Sequence, residues 1–267
     1  MSVIALTPID LSLAAVLVLI LAALSRPMGL DIGRPLIIAA VRTAVQLLLI
    51  GVVLKALFEH AKLGWVVLIA AAMLLIASRE VMVRQKRRLR GWWGFGVGAG
   101  SMFISTFGIT ILVLTVIIHT QPWYEPQYAI PLLGMVLGNA MNGVAVALER
   151  LTHGAWQQRT VIEARLMLGQ TWQQAIGEIR LESVRSGLIP IINAMAVAGV
   201  VSLPGMMTGQ ILAGSAPLEA VKYQILVMFM IGSSTGFGTL AAVWLTSRRL
   251  FDSRERLRLD RMKSAAD

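Results

Sequence analysis

Seven stretches of this 267-residue chain are apolar for long enough to cross a bilayer, and that constrains its fold more than any other feature. A helix needs about 20 mostly apolar residues to traverse roughly 30 Å of hydrocarbon. The stretches are 9–24, 36–57, 63–77, 94–119, 129–148, 186–203 and 221–246. Inside lipid every backbone N–H and C=O must find a partner within the protein, which leaves helices or closed barrels; runs of this length fit helices. The chain is therefore expected to be an all-α, polytopic membrane protein with about seven transmembrane helices. Hydrophobic residues make up 57% and charged residues 14%, a composition that excludes an ordinary soluble domain. The first ten residues hold no Lys or Arg, so the first span lacks the basic start of a secretory signal peptide and is expected to be retained.

The basic residues orient the spans. Arg26 and Arg34 follow span one; Arg79, Arg84, Lys86, Arg87, Arg88 and Arg90 follow span three. Arg150, Arg159, Arg165, Arg180 and Arg185 follow span five, and Arg248, Arg249, Arg254, Arg256, Arg258, Arg261 and Lys263 follow span seven. The alternate segments hold only Lys55, Lys62 and Lys222. Basic loops stay in the cytoplasm, which puts the N-terminus outside and the C-terminus inside, in the cell (inner) membrane. The net charge of +10 then reflects topology charges beside anionic headgroups, and nucleic acid is not an expected partner. The organisation is a membrane domain over 1–247, with a cytoplasmic loop at 149–185, and a basic tail over 248–267. The tail's polar pattern leaves a short helix or a disordered segment open.

The chain offers little covalent chemistry. It has no cysteine, and its three histidines, His60, His119 and His153, are scattered. No lysine follows a glycine, so a phosphate loop ending in Gly-Lys-Ser/Thr cannot be built. The glycine-rich run 94–100 is not expected to follow a strand, and suits helix packing. Gly96/Gly100, Gly134/Gly138 and Gly232/Gly236 have the four-residue spacing that lets helices approach closely in lipid.

Polar groups within the spans are the candidates for a solute path. Arg42 and Gln46 are one turn apart on span two; the arginine either faces an interior or snorkels to headgroups. Asn139 and Asn142 share a face of span five, and Asn193 lies in span six after Pro190, which removes one helix hydrogen bond. Their amides either tie helices together or line a polar path. Met206 and Met207 follow Pro204-Gly205, where the helix is expected to break; they are either soft-metal ligands or packing residues.

The loop over 160–182 reads as two short helices joined at a glycine. Thr160 to Glu163 has the form of a capping box, Gly169 suits a helix C′ position, and Thr171 to Gln174 repeats the start signal. Trp172, Ala175, Ile176 and Ile179 then form one apolar stripe. Such a helix pair suits docking to a partner.

The loop carries Glu163-Ala164-Arg165, Gly169 and Ile179-Arg180-Leu181 at the spacing of the EAA loop of ABC transporter permeases. Arg165 stands where that pattern has alanine, and Glu182 where it has proline. Together with Arg42 to Gln46, Gly134 to Met141, the run from Ser202 to Met207 and Lys222 to Ile225, it resembles the FetB-type iron-export permeases and the plant aluminium-tolerance permeases. The resemblance covers about 36–251. It implies a permease subunit that binds no cofactor itself and is driven by a separate cytoplasmic subunit holding ATP and Mg; the pathway is expected to be formed by two copies of the chain, a homodimer, or by one copy with a homologue. It implies export of iron, with metal homeostasis and resistance to oxidative stress as its role, while plant relatives point to organic solutes such as a nucleotide sugar. The coupling residues are then Glu163, Ala164 and Gly169, with Trp172, Ile176 and Ile179 from the stripe. A membrane-embedded enzyme acting on lipid would need a nucleophile or base that the spans lack, and a scaffold without a path would leave the asparagines as helix ties.

Overall fold

The computed structural model describes residues 7–25, 27–30, 32–59 and 62–264; Arg26 and His60 lie outside the described residues. Among the described residues, six helices are long and apolar enough to cross a membrane: Pro8–Ser25, Gly33–Glu59, Leu63–Val83, Trp92–Ile118, Pro126–Gln157 and Pro217–Arg249. Each coincides with an apolar stretch expected from the sequence, the fourth stopping at Ile118, one residue short, where His119 turns left-handed. The shortest expected span, 63–77, extends to Val83 and becomes a helix of 21 residues, about 32 Å at 1.5 Å per residue.

The seventh expected span, 186–203, is not one continuous helix. Helix α9 (Gly177–Val197) starts nine residues earlier in the chain and ends six earlier. Its first nine residues hold Glu178, Arg180, Glu182 and Arg185, so its polar and apolar parts are distinct. It continues through Pro190. The break falls at Ala198 and Gly199, not at Pro204-Gly205. Ala198 turns extended, Gly199 has φ +82°, and the amides of Val201 and Ser202 both donate to the Val197 carbonyl. Pro204-Gly205 instead opens helix α10 (Gly205–Leu212), where the Thr208 amide donates to the Pro204 carbonyl. Proline lacks an N–H but tolerates a helix start, which explains the reversal.

Two compact units make up the chain. The first holds α1 (Pro8–Ser25) and α2 (Gly33–Glu59), a helical hairpin. Its turn is closed by the Leu30 amide on the Ser25 carbonyl and the Ile32 amide on the Ser25 hydroxyl.

The second unit is organised around α6 (Pro126–Gln157), which packs against α3 (Leu63–Val83), α9 and α11 (Pro217–Arg249). Between α3 and α6 runs the helix Trp92–Ile118, in which α4 (Trp92–Met102) and α5 (Gly108–Leu112) alternate with wider π-helical turns at Phe103–Phe107 and Val113–Ile118. Buried hydroxyls donate back to their own helix: Ser78 to the Leu74 carbonyl, Thr106 to Met102, Thr152 to Leu148, Ser183 to Ile179 and Ser247 to Val243. An apolar interior can hold them because each has a partner.

The closest helix approach is between α6, α9 and α11. A Cβ added at Gly187 would lie 2.6 Å from the Gly143 carbonyl oxygen and 2.9 Å from Ala147 Cβ. A Cβ at Gly143 would strike the Thr235 methyl. These glycines were not among the four-residue pairs. Of those pairs, Gly134 faces Met73 and Gly232 faces Met195, whereas Gly96, Gly100, Gly138 and Gly236 meet nothing within 4 Å. Spacing shows that two glycines share a face but not whether a helix lies opposite.

Over its described residues beyond α11, 250–264, the tail folds into turns, one 3-10 turn at Leu259–Arg261 and a short strand, rather than a single helix. Strand β1 (Arg87–Leu89) pairs antiparallel with β2 (Met262–Ser264), with Arg88 opposite Lys263. Between α11 and β2, the Asp252 carboxylate accepts the backbone N–H groups of Arg254 and Arg256 and the Arg256 guanidinium. The Arg256 backbone bond, with that guanidinium and the Arg254 backbone bond, holds its carboxyl down at about 2 from the usual 3.8.

Gly187→Ala is expected to destabilise the chain by about 1–3 kcal/mol through overpacking against backbone that cannot move aside, whereas Gly138→Ala is tolerated; thermal unfolding in detergent distinguishes the two. Because the Asp252 value is lowered on folding, its contribution is intact above the usual 3.8 and is lost as pH falls through about 2. Tryptophan fluorescence should therefore report loosening of the tail in that window, and Asp252→Asn should remove the transition.

Candidate functional site

The expected helix pair is present at the basic end of the second unit. Helix α7 (Arg159–Met167) ends in a Schellman motif: Gly169 has φ +86°, its amide donates to the Leu166 carbonyl and the Gln170 amide to Arg165. Helix α8 (Trp172–Ala175) begins with a formed capping box between Thr171 and Gln174, in which the Gln174 amide oxygen accepts the Thr171 N–H at 3.0 Å. The first expected box does not form. Helix α7 starts one residue earlier, at Arg159, which places Thr160 inside the helix rather than at its cap.

The apolar stripe turns inward. Ile176 is 0% exposed, and Ala175 and Ile179 are buried. They join Ile162, Leu148, Leu151, Ala155, Leu250, Phe251 and Met262 in one core at this end of the bundle. Trp172 lies half-buried against the same core, its ring 5.7 Å from that of Phe251. Trp172, Ile176 and Ile179 therefore hold the loop onto its own chain. The residues facing outward are Glu163, Ala164 and Gly169, with Met167 and Leu168 at 83% and 82% exposure. The sequence reading missed these two. The signal available was an apolar pair directly before the C′ glycine, where the helix end projects.

Both departures from the EAA pattern form ion pairs. Arg165 reaches Glu178 at 2.8 Å and ties α7 to the start of α9. Glu182 reaches Arg150 at 3.0 Å and ties α9 to α6. Arg87 stacks 3.7 Å above the Trp156 ring, holding the segment after α3 against the end of α6.

The polar candidates within the spans fall on different helices. Asn139 and Asn142 occupy an exposed face of α6. The Asn139 amide donates to the Met135 carbonyl, and the Asn142 carbonyl oxygen accepts from Arg84 at 2.6 Å. One turn below, a cleft of about 490 Å³ is lined by Arg84, Glu149, Arg150, His153 and Ser186. Glu149 accepts the Lys86 backbone N–H there. Asn193 is exposed on α9, and Met206 and Met207 are half-buried on α10. Arg42 and Gln46 are exposed on α2, in the first unit. Among the described residues, no three His, Asp or Glu side chains converge as a metal-binding group.

The fold and site define a multi-pass α-helical membrane protein with a folded helical loop clamped to the basic end of its helix bundle. Residues 8–251 match the family described as uncharacterised protein family UPF0014, and the chain belongs to it. It is 40% identical over 232 residues to the UPF0014 membrane protein slr1647 of Synechocystis sp., covering 86% of this chain and 88% of that one. It is 31% identical over 254 residues to the probable iron export permease protein FetB of Escherichia coli, covering 95% and 96%. It is 33% identical over 223 residues to the protein ALUMINUM SENSITIVE 3 of Arabidopsis thaliana, covering 83% and 80%. No solved structure is significantly similar to it.

Ile176→Ala is expected to cost about 2–5 kcal/mol, since it empties a fully buried site. Met167→Ala should leave stability within about 0.5 kcal/mol, since its side chain is in the open. Paired thermal melts of the purified chain check both.

Proposed function

We propose that this chain is the permease subunit of an ABC transporter and that the α7–Gly169–α8 turn is the surface on which a cytoplasmic ATP-binding subunit docks. The observation that carries this reading is the division of the loop into two faces. Its inner face is locked into the core, so a push on the turn is transmitted to α6, α9 and α11. Its outer face presents Met167 and Leu168, two large apolar side chains at the basic end, where water would otherwise surround them. An exposed apolar pair on a rigid turn suits a partner's groove. The basic side of the membrane is then the cytoplasm, and ATP and Mg belong to the partner.

The solute path runs along the exposed face of α6. Asn139 and Asn142 each make one hydrogen bond within the chain, which leaves amide capacity that hydrocarbon cannot satisfy, and a second copy of the chain set against this face would enclose them in a polar channel. The cleft lined by Arg84, Arg150 and His153 forms its inner mouth. We assign iron as the solute and export as the direction, supported by the similarity to the E. coli relative named for iron export. The donors along this face are amides and guanidinium groups. They favour a solute that presents acceptor oxygens, either chelated iron or an organic solute such as a nucleotide sugar. The energy comes from the partner, and this chain carries out no covalent step.

Met167→Asp with Leu168→Asp should abolish stimulation of a co-expressed ABC-type ATP-binding subunit, at least about tenfold, because two carboxylates would be desolvated in the groove. The variant should still insert and melt as the wild type does. Stimulation at the wild-type level would contradict the docking face.

A further inference from the structure

The Glu255 carboxylate accepts the backbone N–H of Trp172 at 3.0 Å, across 83 positions of sequence. Glu255 sits at φ +57°, a left-handed conformation in the tight turn that Asp252 organises. The segment around it is anchored on every side. Phe251 is buried and its ring meets Trp172. The Arg258 amide donates to the Leu250 carbonyl at 2.7 Å. The Arg261 guanidinium donates to the Arg249 and Phe251 carbonyls. Strand β2 then pairs with β1, between α3 and α4. Arg180 adds a contact over the Trp172 ring from α9.

We propose that the C-terminal segment is a strap that positions the docking turn, with Glu255 as its positioning residue. The segment is rooted directly in the end of α11. It holds α8 through Glu255 and Phe251, and it holds the α3–α4 connection through β2. A displacement of α11 is thereby delivered to Trp172, three residues after Gly169 and adjacent in chain to the turn bearing Met167 and Leu168. The loop already meets α11 through the shared core, where Ile162 and Ile176 pack with Val243 and Leu250. The strap adds a direct hydrogen-bonded link from the end of α11 to the first residue of α8, and the reverse path carries a push on the turn into that span. The inference rests on the docking reading for its consequence, though not for its geometry.

The test uses the full chain in detergent, alone and with an ABC-type ATP-binding subunit. Amide hydrogen exchange is followed at Trp172 and its neighbours in wild type, Glu255→Ala and Glu255→Gln. In Glu255→Ala the Trp172 amide should exchange about tenfold faster, as expected for loss of a hydrogen bond to a charged acceptor. Glu255→Gln keeps an acceptor oxygen at the same reach and should stay near wild type. Stimulation of the ATP-binding subunit should fall several-fold in Glu255→Ala and return in Glu255→Gln, with both variants melting as wild type does. Unchanged exchange in Glu255→Ala overturns the strap; faster exchange with undiminished stimulation overturns its role in positioning. A wild-type chain that stimulates no ATP-binding subunit overturns the docking reading instead, and exchange on the chain alone then decides the geometry separately.

Discussion

The crossing of α6, α9 and α11 at Gly143 and Gly187 is the contact on which the second unit depends. Backbone meets backbone there, with Thr235 and Thr239 from α11 closing the gap. Apolar burial gives little drive for association between helices that already sit in lipid, so close packing of this kind must hold them. Once α9 is fixed against α6, its polar N-terminal part lies beside the C-terminal end of α6. Arg150 and Glu182 pair there. The short helices α7 and α8 then have a wall to pack on, and Ile162, Ile176 and Ile179 are buried against it.

Much of this was legible in the sequence because a bilayer imposes a simple rule. Each of the six long apolar helices coincides with an expected apolar run, since a helix of about 20 apolar residues is the economical way to satisfy its backbone in hydrocarbon. The exception is instructive. The stretch 186–203 has the hydropathy of a span, but Gly199 in a left-handed conformation stops the helix before Pro204, and a hydrogen-bonded turn takes over. Hydropathy measures what a segment tolerates around it, not where its chain reverses.

The loop shows the same limit at higher resolution. Gly169 and the Thr171–Gln174 box were readable because each depends on a few neighbouring residues. The direction of the Trp172–Ile179 stripe was not readable. An amphipathic stripe states that something covers it, and a partner and the chain's own core give the same pattern. Here Leu148, Leu151 and Phe251 cover it, and they come from elements far apart in sequence. The tail escaped the sequence reading for a related reason. Its order depends on β1, on Trp172 and on the Asp252 turn, and only the last is local. Arg165 and Glu182 look like departures from a motif when read alone. With Glu178 and Arg150 in view they are ion pairs that fasten the loop.

In the function proposed above, the α6 face with Asn139 and Asn142 and the cleft below it are the path, and the clamped turn with its apolar tip is where it is driven. The central claim is that solute movement through this chain is powered from that turn by a separate ATPase. Uptake of labelled iron into inverted membrane vesicles tests it most directly, with this chain and an ABC-type ATP-binding subunit present singly and together. The account predicts uptake only when both chains and ATP are present. Iron uptake that proceeds at the same rate without the ATP-binding subunit would contradict it.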